Sequence, residues 1–162
     1  MVAPTYDHRQ TSWWLLAGVA ISMGAAVAVL AWLEPRAGRG VRAGLWAIAV
    51  VGTLVGWQFT TLRVRVDSER VRVAFGPGWI RRVVPVSEIV SAEAVRNRWW
   101  YGWGIRWTPT GWMWNVSGLD AVLVRRADGR SLRIGTDEPA ALVAAIHAVA
   151  GTARAPSAPS AS

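Results

Sequence analysis

The sequence predicts a pair of membrane-spanning helices followed by a mainly-β domain that ends in one helix. Two long runs without charge lie within residues 1–62, a valine–arginine alternation follows, and a helical apolar stripe comes last. A hydrophobic content of 52% and a mean hydropathy of +0.25 agree with a membrane segment. We expect an N-terminal segment (1–12), a transmembrane hairpin (13–62), a β domain (63–151) and a disordered tail (152–162).

The transmembrane hairpin contains two predicted helices, 13–33 and 43–62. At about 1.5 Å of rise per residue, each uncharged run covers the roughly 30 Å hydrocarbon core of a bilayer. A cleaved signal peptide is the alternative for the first run, but no small-residue cleavage site follows Leu33 and the run is longer than a signal-peptide core. The segment 34–42 holds a proline and two glycines, which predict a tight turn and antiparallel spans.

Small residues recur at four-residue spacing in both predicted spans. Gly18 and Ser22 share a face of the first helix, and Gly52 and Gly56 form a GxxxG step in the second. This spacing is typical of close helix packing, either within the hairpin or between two copies of the chain. Tryptophans near the span ends suit the headgroup layer.

The charge pattern predicts the orientation in the membrane. The net charge is +8, and every basic residue is an arginine. Five arginines flank the outer ends of the spans (Arg9, Arg63, Arg65, Arg70, Arg72) and three lie in the turn between them (Arg36, Arg39, Arg42). The excess predicts a protein of the inner (cytoplasmic) membrane with its β domain in the cytoplasm. The absence of cysteine excludes disulfides and cysteine-ligated zinc.

After residue 62 the pattern predicts about seven strands. Val–Arg alternation indicates strands over 62–67 and 69–76, a third strand reaches Val84, and a fourth covers 89–95. Short extended pieces with a turn at "TPTG" and a hairpin over 119–136 follow. A final helix starts near Thr136 or Asp137 and carries an apolar stripe: Leu142, Val143, Ile146, Val149 and Ala150.

The segment Arg98–Asn115, here called the tryptophan segment, holds six of the 12 tryptophans. Three interpretations stay open: the rings fill the core, they lie among lipid headgroups with the arginines on phosphates, or they form a protein-binding patch. The candidate binding residues, for lipid or protein, are Arg98, Trp99, Trp100, Arg106, Trp112 and Trp114.

The sequence shows little sign of catalysis. His8 and His147 have no metal-ligand or triad partner at a recognisable spacing, and "GWGIRW" lacks the third glycine, the lysine and the helix of a phosphate loop. We therefore expect no enzyme activity, no cofactor, no metal, no small-molecule substrate and no nucleic acid.

The run Val66–Val95, "VDSERVRVAFGPGWIRRVVPVSEIVSAEAV", resembles the opening strands of bacterial pleckstrin-homology-like (PH-like) domains. The motifs "YGWGIR", "NVSGLDAV" and "IGTDEPAAL" are similar to those of uncharacterised bacterial membrane proteins. The resemblance covers about Thr61–Gly151. It implies a two-sheet antiparallel barrel of about seven strands, capped by a C-terminal helix whose Leu142, Ile146 and Val149 plug one end.

One departure from that resemblance bears on function. PH-like domains that bind inositol phosphates place basic residues around the first hairpin loop, whereas this loop is Asp67–Ser68–Glu69, whose carboxylates repel phosphate. We therefore expect a partner along an edge or groove instead. The predicted function is a non-catalytic membrane-anchored binding or scaffold module, with membrane lipid, a protein or a second copy of the chain as partner. The alternative is an accessory subunit of a transport or envelope-biogenesis complex that acts through its helices.

Overall fold

The computed structural model describes residues 5–33 and 38–154, and the side chains of these residues as far as Gly151. Of the predicted disordered tail, residues 152–154 are helical and thus differ from the prediction, and the rest lies outside the described residues. Part of the predicted turn between the spans also lies outside them. The elements, in chain order, are β1 (Tyr6–Thr11), α1 (Trp13–Leu33), α2 (Arg39–Gln58), β2 (Thr61–Val66), β3 (Arg70–Phe75), β4 (Ile80–Pro85), β5 (Ile89–Arg96), β6 (Gly104–Thr108), β7 (Gly111–Asn115), β8 (Asp120–Arg126), β9 (Ser131–Gly135) and α3 (Pro139–Arg154).

Helices α1 and α2 pack side by side, and both are long and apolar enough to cross a membrane. The bounds of α1 agree with the prediction, but α2 begins at Arg39 and ends at Gln58 rather than covering 43–62. The earlier start is possible because an arginine at a span end can extend its charge to the interface. The earlier end arises because Leu62 is taken by the sheet, where it pairs with Phe75.

The strands form two sheets. The first sheet has the order β1-β2-β3-β4, and the second has the order β5-β8-β9-β7-β6. Among the described residues no strand is shared between them, so the expected barrel is not closed. The described strands number nine rather than about seven, and β7 runs parallel to β9 rather than antiparallel. Strands predicted between residues 62 and 136 are confirmed to within a few residues.

Strand β1 was not predicted. It pairs antiparallel with β2, from Tyr6 opposite Val66 to Thr11 opposite Thr61. Its sequence, YDHRQT, lacks the apolar alternation that reveals a half-buried strand, because it lies at the edge of the sheet and packs few apolar side chains. The helical hairpin is therefore inserted between two paired strands.

The strands of the second sheet run across the first sheet, from its β4 side to its β1 side. The amide of Ala127, in the β8–β9 turn, donates to the carbonyl of Glu88 just after β4. At the other end of β9, Asp137 lies beside His8 of β1. The core fills the space between the sheets, and α3 contributes the buried Leu142, Ile146 and Val149 to it. The predicted apolar stripe of the last helix is confirmed.

Candidate membrane-proximal surface

Both spans join the first sheet with almost no linker. Only Ser12 separates β1 from α1, and its amide donates to the carbonyl of Thr60, 2.8 Å away. The buried Gln58 ends α2 and donates its Nε2 to the carbonyl of Phe75 at 3.1 Å. The sheet end that holds Thr11, Thr61 and Phe75 therefore lies next to the predicted spans, and it is called the membrane-proximal end below.

The opposite end of the first sheet carries the Asp67–Ser68–Glu69 turn. Strand β2 rises about 3.3 Å per residue, which places this turn roughly 20 Å beyond the ends of the spans. Asp67 Oδ1 accepts the amides of Glu69 at 3.0 Å and Arg70 at 2.8 Å, so its carboxylate stabilises the turn. The two acids of this loop lie far from the span ends and beside Arg70 and Arg72.

Strand β1 is held to β2 by a charged cluster on the exposed face of the sheet. Asp7 accepts hydrogen bonds from Nε and Nη2 of Arg63 at 2.7 and 2.6 Å and from Nε of Arg65 at 3.0 Å. The hydrogen bonds from Arg63 hold the pKa of the Asp7 carboxyl below its ordinary value, and Asp7 in turn raises the pKa of Arg63. The cluster offsets the repulsion between Arg9 and Arg63, which stand opposite each other.

The six tryptophans of the tryptophan segment occupy three environments. Trp114 is 7% exposed and stacks on Phe75 with ring centroids 5.6 Å apart, so it belongs to the core. Trp107 and Trp112 form an edge-to-face pair across β6 and β7, at 5.5 Å. Trp99, Trp100 and Trp103 lie in the exposed loop before β6. The core interpretation thus holds for only one ring.

Trp103 connects this loop to helix α1. Its ring lies edge-on to that of Trp14, in the first turn of α1, with centroids 6.2 Å apart. Arg106, one of the candidate residues, donates from Nε to the carbonyl of Trp103 at 2.9 Å. Both Trp103 and Arg106 therefore lie beside the N-terminal end of α1, at the edge of the second sheet that faces the helices.

The other candidate residues of the loop are exposed and contact one another. The guanidinium of Arg98 lies 5.0 Å from the ring of Trp100, and the Trp99 ring stands edge-on to Trp100. Beneath them the buried Arg133 donates to Asn97 Oδ1 and Thr110 Oγ1, both at 3.0 Å, and lies under Tyr101. This buried arginine fixes the loop by bonding to residues on both sides of it.

A further exposed tryptophan was missed as a candidate. Trp79 is 82% exposed and closes the turn between β3 and β4, whose Gly76 amide donates to Thr61 at 3.0 Å. Gly76 has φ +53°, and an added Cβ would lie 2.8 Å from the carbonyl oxygen of Gln58. The turn thus packs on the end of α2, and Trp79 lies at the membrane-proximal end. One sequence signal could have identified Trp79. Strand β3 is as long as β2, so the turn after β3 lies at the same end of the sheet as the start of β2.

The four small residues proposed for helix packing do not all lie in the contact between α1 and α2. At Gly56 an added Cβ would lie 2.8 Å from Cγ2 of Val19, so Gly56 lies in the α1–α2 contact. At Gly18 and Gly52 an added Cβ would meet nothing within 4 Å, and Ser22 is exposed. These three positions lie outside the contact between α1 and α2.

Strand β1 also brings titratable groups together that the sequence separates widely. His8 lies 2.7 Å from Asp137 and 3.4 Å from Glu138, and burial raises the pKa of the neighbouring Tyr6 to about 12. The cluster ties β1 to the start of α3. The part of the chain that the structure describes contains no group of three His, Cys, Asp or Glu side chains placed to hold a metal ion, and His147 is exposed on α3.

Comparison with known proteins finds that no family model matches the chain and that no curated protein matches it.

Proposed function

We propose that this protein is a non-catalytic membrane-anchored binding module whose β domain rests on the bilayer and presents a surface rich in tryptophan and arginine to it. The contact between Trp103 and Trp14 carries the proposal. Trp14 lies in the first turn of a helix that is long and apolar enough to span a membrane, so a ring packed on it lies at the depth of the headgroups.

The double attachment of the domain supports this placement. Because β1 and β2 are paired directly beside the spans, the domain is held at two points and cannot turn freely about a linker. Trp79 over the end of α2 and Trp103 beside α1 then anchor its two sides in the interface. Arg106 is placed to meet lipid phosphate.

The proposal includes a PH-like fold and a cytoplasmic domain. Two crossing sheets with a C-terminal helix packed into the core agree with such a fold, and β1 with the β6–β7 hairpin are then additions at the sheet edges. Because β1 pairs with β2, the two helix ends that join the sheet lie side by side, which supports a common side of the membrane for both. The arginine excess on that side favours the cytoplasm.

The alternative, an accessory subunit that contacts its complex through the helices, has one supporting observation. Gly18 and Gly52 lie outside the α1–α2 contact and leave small-residue faces open. Replacing Gly52 by leucine would then release a partner from the complex without loosening the hairpin.

Photo-crosslinking in native membranes tests the proposed function. A benzophenone amino acid at Trp79 is expected to give phospholipid adducts, whereas the same probe at Ser68, in the turn at the other end of the β2–β3 hairpin, is expected to give few. Both positions lie in exposed turns, so the two variants are matched in accessibility. Equal lipid labelling at both positions, or only protein adducts at Trp79, would contradict bilayer contact.

A further inference from the structure

A groove of about 930 Å³ opens between β4, the tip of the β6–β7 hairpin and the turn that joins β8 to β9. Ile105, Trp107, Trp112 and Trp114 share one face of that hairpin, because they are paired across the strands and spaced by two. Trp114 meets the core at Phe75, so this face points towards the first sheet. Nearer the tip, Trp107 and Trp112 form an aromatic wall of the groove.

The charged residues that line the groove are all basic: Arg82, Arg125, Arg126 and Arg130. Arg126 is held in place by Glu88 and Asp128, and Arg125 pairs with Glu93. Arg130 lies 3.9 Å from Asp128. None of these carboxylates is part of the lining. Arg82 has no carboxylate partner within the described part of the chain. The groove thus combines a cationic rim with an apolar and aromatic wall. This combination complements a ligand with an anionic head and an apolar body.

The groove also lies close to the membrane-proximal end. Arg82 follows Trp79 by three residues, and β4 starts at Ile80 opposite Phe75, whose carbonyl accepts from Gln58 at the end of α2. At about 3.3 Å per residue, Arg82 is roughly 10 Å from the exposed turn over α2. A lipid from the adjacent leaflet can reach that distance with its headgroup.

We propose that this groove binds a single anionic phospholipid, its phosphate on Arg82 and Arg130 and its glycerol and upper acyl chains on Trp107 and Trp112. The inference rests on the proposed function, because the groove meets lipid only if the domain rests on the bilayer. An acidic peptide would match the charge too, but it would not need the groove to lie beside the spans.

Native mass spectrometry of the purified full chain tests the inference. The protein in detergent is mixed with phosphatidylglycerol or with phosphatidylcholine, and the lipid retained per chain is counted. We expect one tightly retained phosphatidylglycerol and a preference over phosphatidylcholine. Arg82→Gln should weaken that binding about tenfold, as expected for the loss of one charged contact.

The matched control is Arg81→Gln, because Arg81 is exposed on the opposite face of the same strand. It should leave lipid binding unchanged, while Arg130→Gln, at a second exposed rim position, should weaken it. A benzophenone probe at Trp112 should yield phosphatidylglycerol adducts in mixed nanodiscs.

Equal retention of the two lipids, or equal effects of the changes at Arg81 and Arg82, would overturn the inference. A peptide adduct at Trp112 in place of lipid would overturn it in favour of a protein partner. These failures leave the proposed function intact as long as the probe at Trp79 still labels lipid. Loss of lipid labelling at Trp79 would contradict the proposed function itself.

Discussion

Replacing single tryptophans by alanine should separate the core ring from the surface rings of the tryptophan segment. Trp114 is 7% exposed and stacks on Phe75, whereas Trp107 is 69% exposed. A buried tryptophan removes about 150–250 Å² from water, which at about 25 cal/mol per Å² corresponds to roughly 4–6 kcal/mol. Since alanine keeps part of that area, we expect Trp114→Ala to lower the free energy of unfolding by about 4 kcal/mol.

For Trp107→Ala the same arithmetic gives about 1 kcal/mol, because only about a third of that side chain is covered. Urea unfolding of the β domain in detergent micelles, followed by far-ultraviolet circular dichroism, measures both changes. With a slope of about 2 kcal/mol per molar urea, the two midpoints should differ by roughly 1.5 M. Equal midpoints, or a larger loss at Trp107, would refute the assignment of Trp114 to the core.

Three further predictions concern the first sheet and the helices. Because the hydrogen bonds from Arg63 lower the pKa of Asp7, its contribution to stability is present above the unfolded value near 3.8 and is lost as the pH falls through the lowered folded value. Asp7→Asn should therefore be less stable than wild type at pH 7, and that difference should shrink progressively as the pH falls below about 4; a pH-independent difference in thermal midpoint would argue against the ion cluster. Cysteines placed at Arg9 and Arg63, which stand opposite each other on the exposed face of β1 and β2, should form a disulfide on mild oxidation, seen as lost maleimide labelling. The chain has no other cysteine, so either single variant is the control, and persistent labelling of the double variant would mean that β1 is not paired. Gly56→Leu should separate α1 from α2, whereas Gly52→Leu should not, because only at Gly56 does an added Cβ meet the facing helix. A cysteine crosslink between the helices would report this, and equal crosslinking in both variants would contradict the packing.

The candidate site was only partly visible in the sequence. The exposure of Trp99, Trp100 and Trp112 follows from a composition too rich in large rings for one small core. Which single ring is buried could not be predicted, because that depends on the partner strand and on Phe75, which is distant in sequence. Trp79 was missed because only the structure shows that β3 runs back to the end of the sheet beside α2, where its turn packs on Gln58.

The sequence alone determined the two long apolar helices, most strands of the β domain and the final helix, because hydrophobic periodicity is a local property of the sequence. Only the tertiary structure decided that the chain before α1 is a strand, since β1 carries no apolar pattern and exists through its hydrogen bonds to β2. That pairing joins residues separated by the whole helical hairpin. It attaches the domain to the helices at two points. The contact between Trp103 and Trp14 likewise joins residues far apart in the sequence, so no local sequence pattern reveals it.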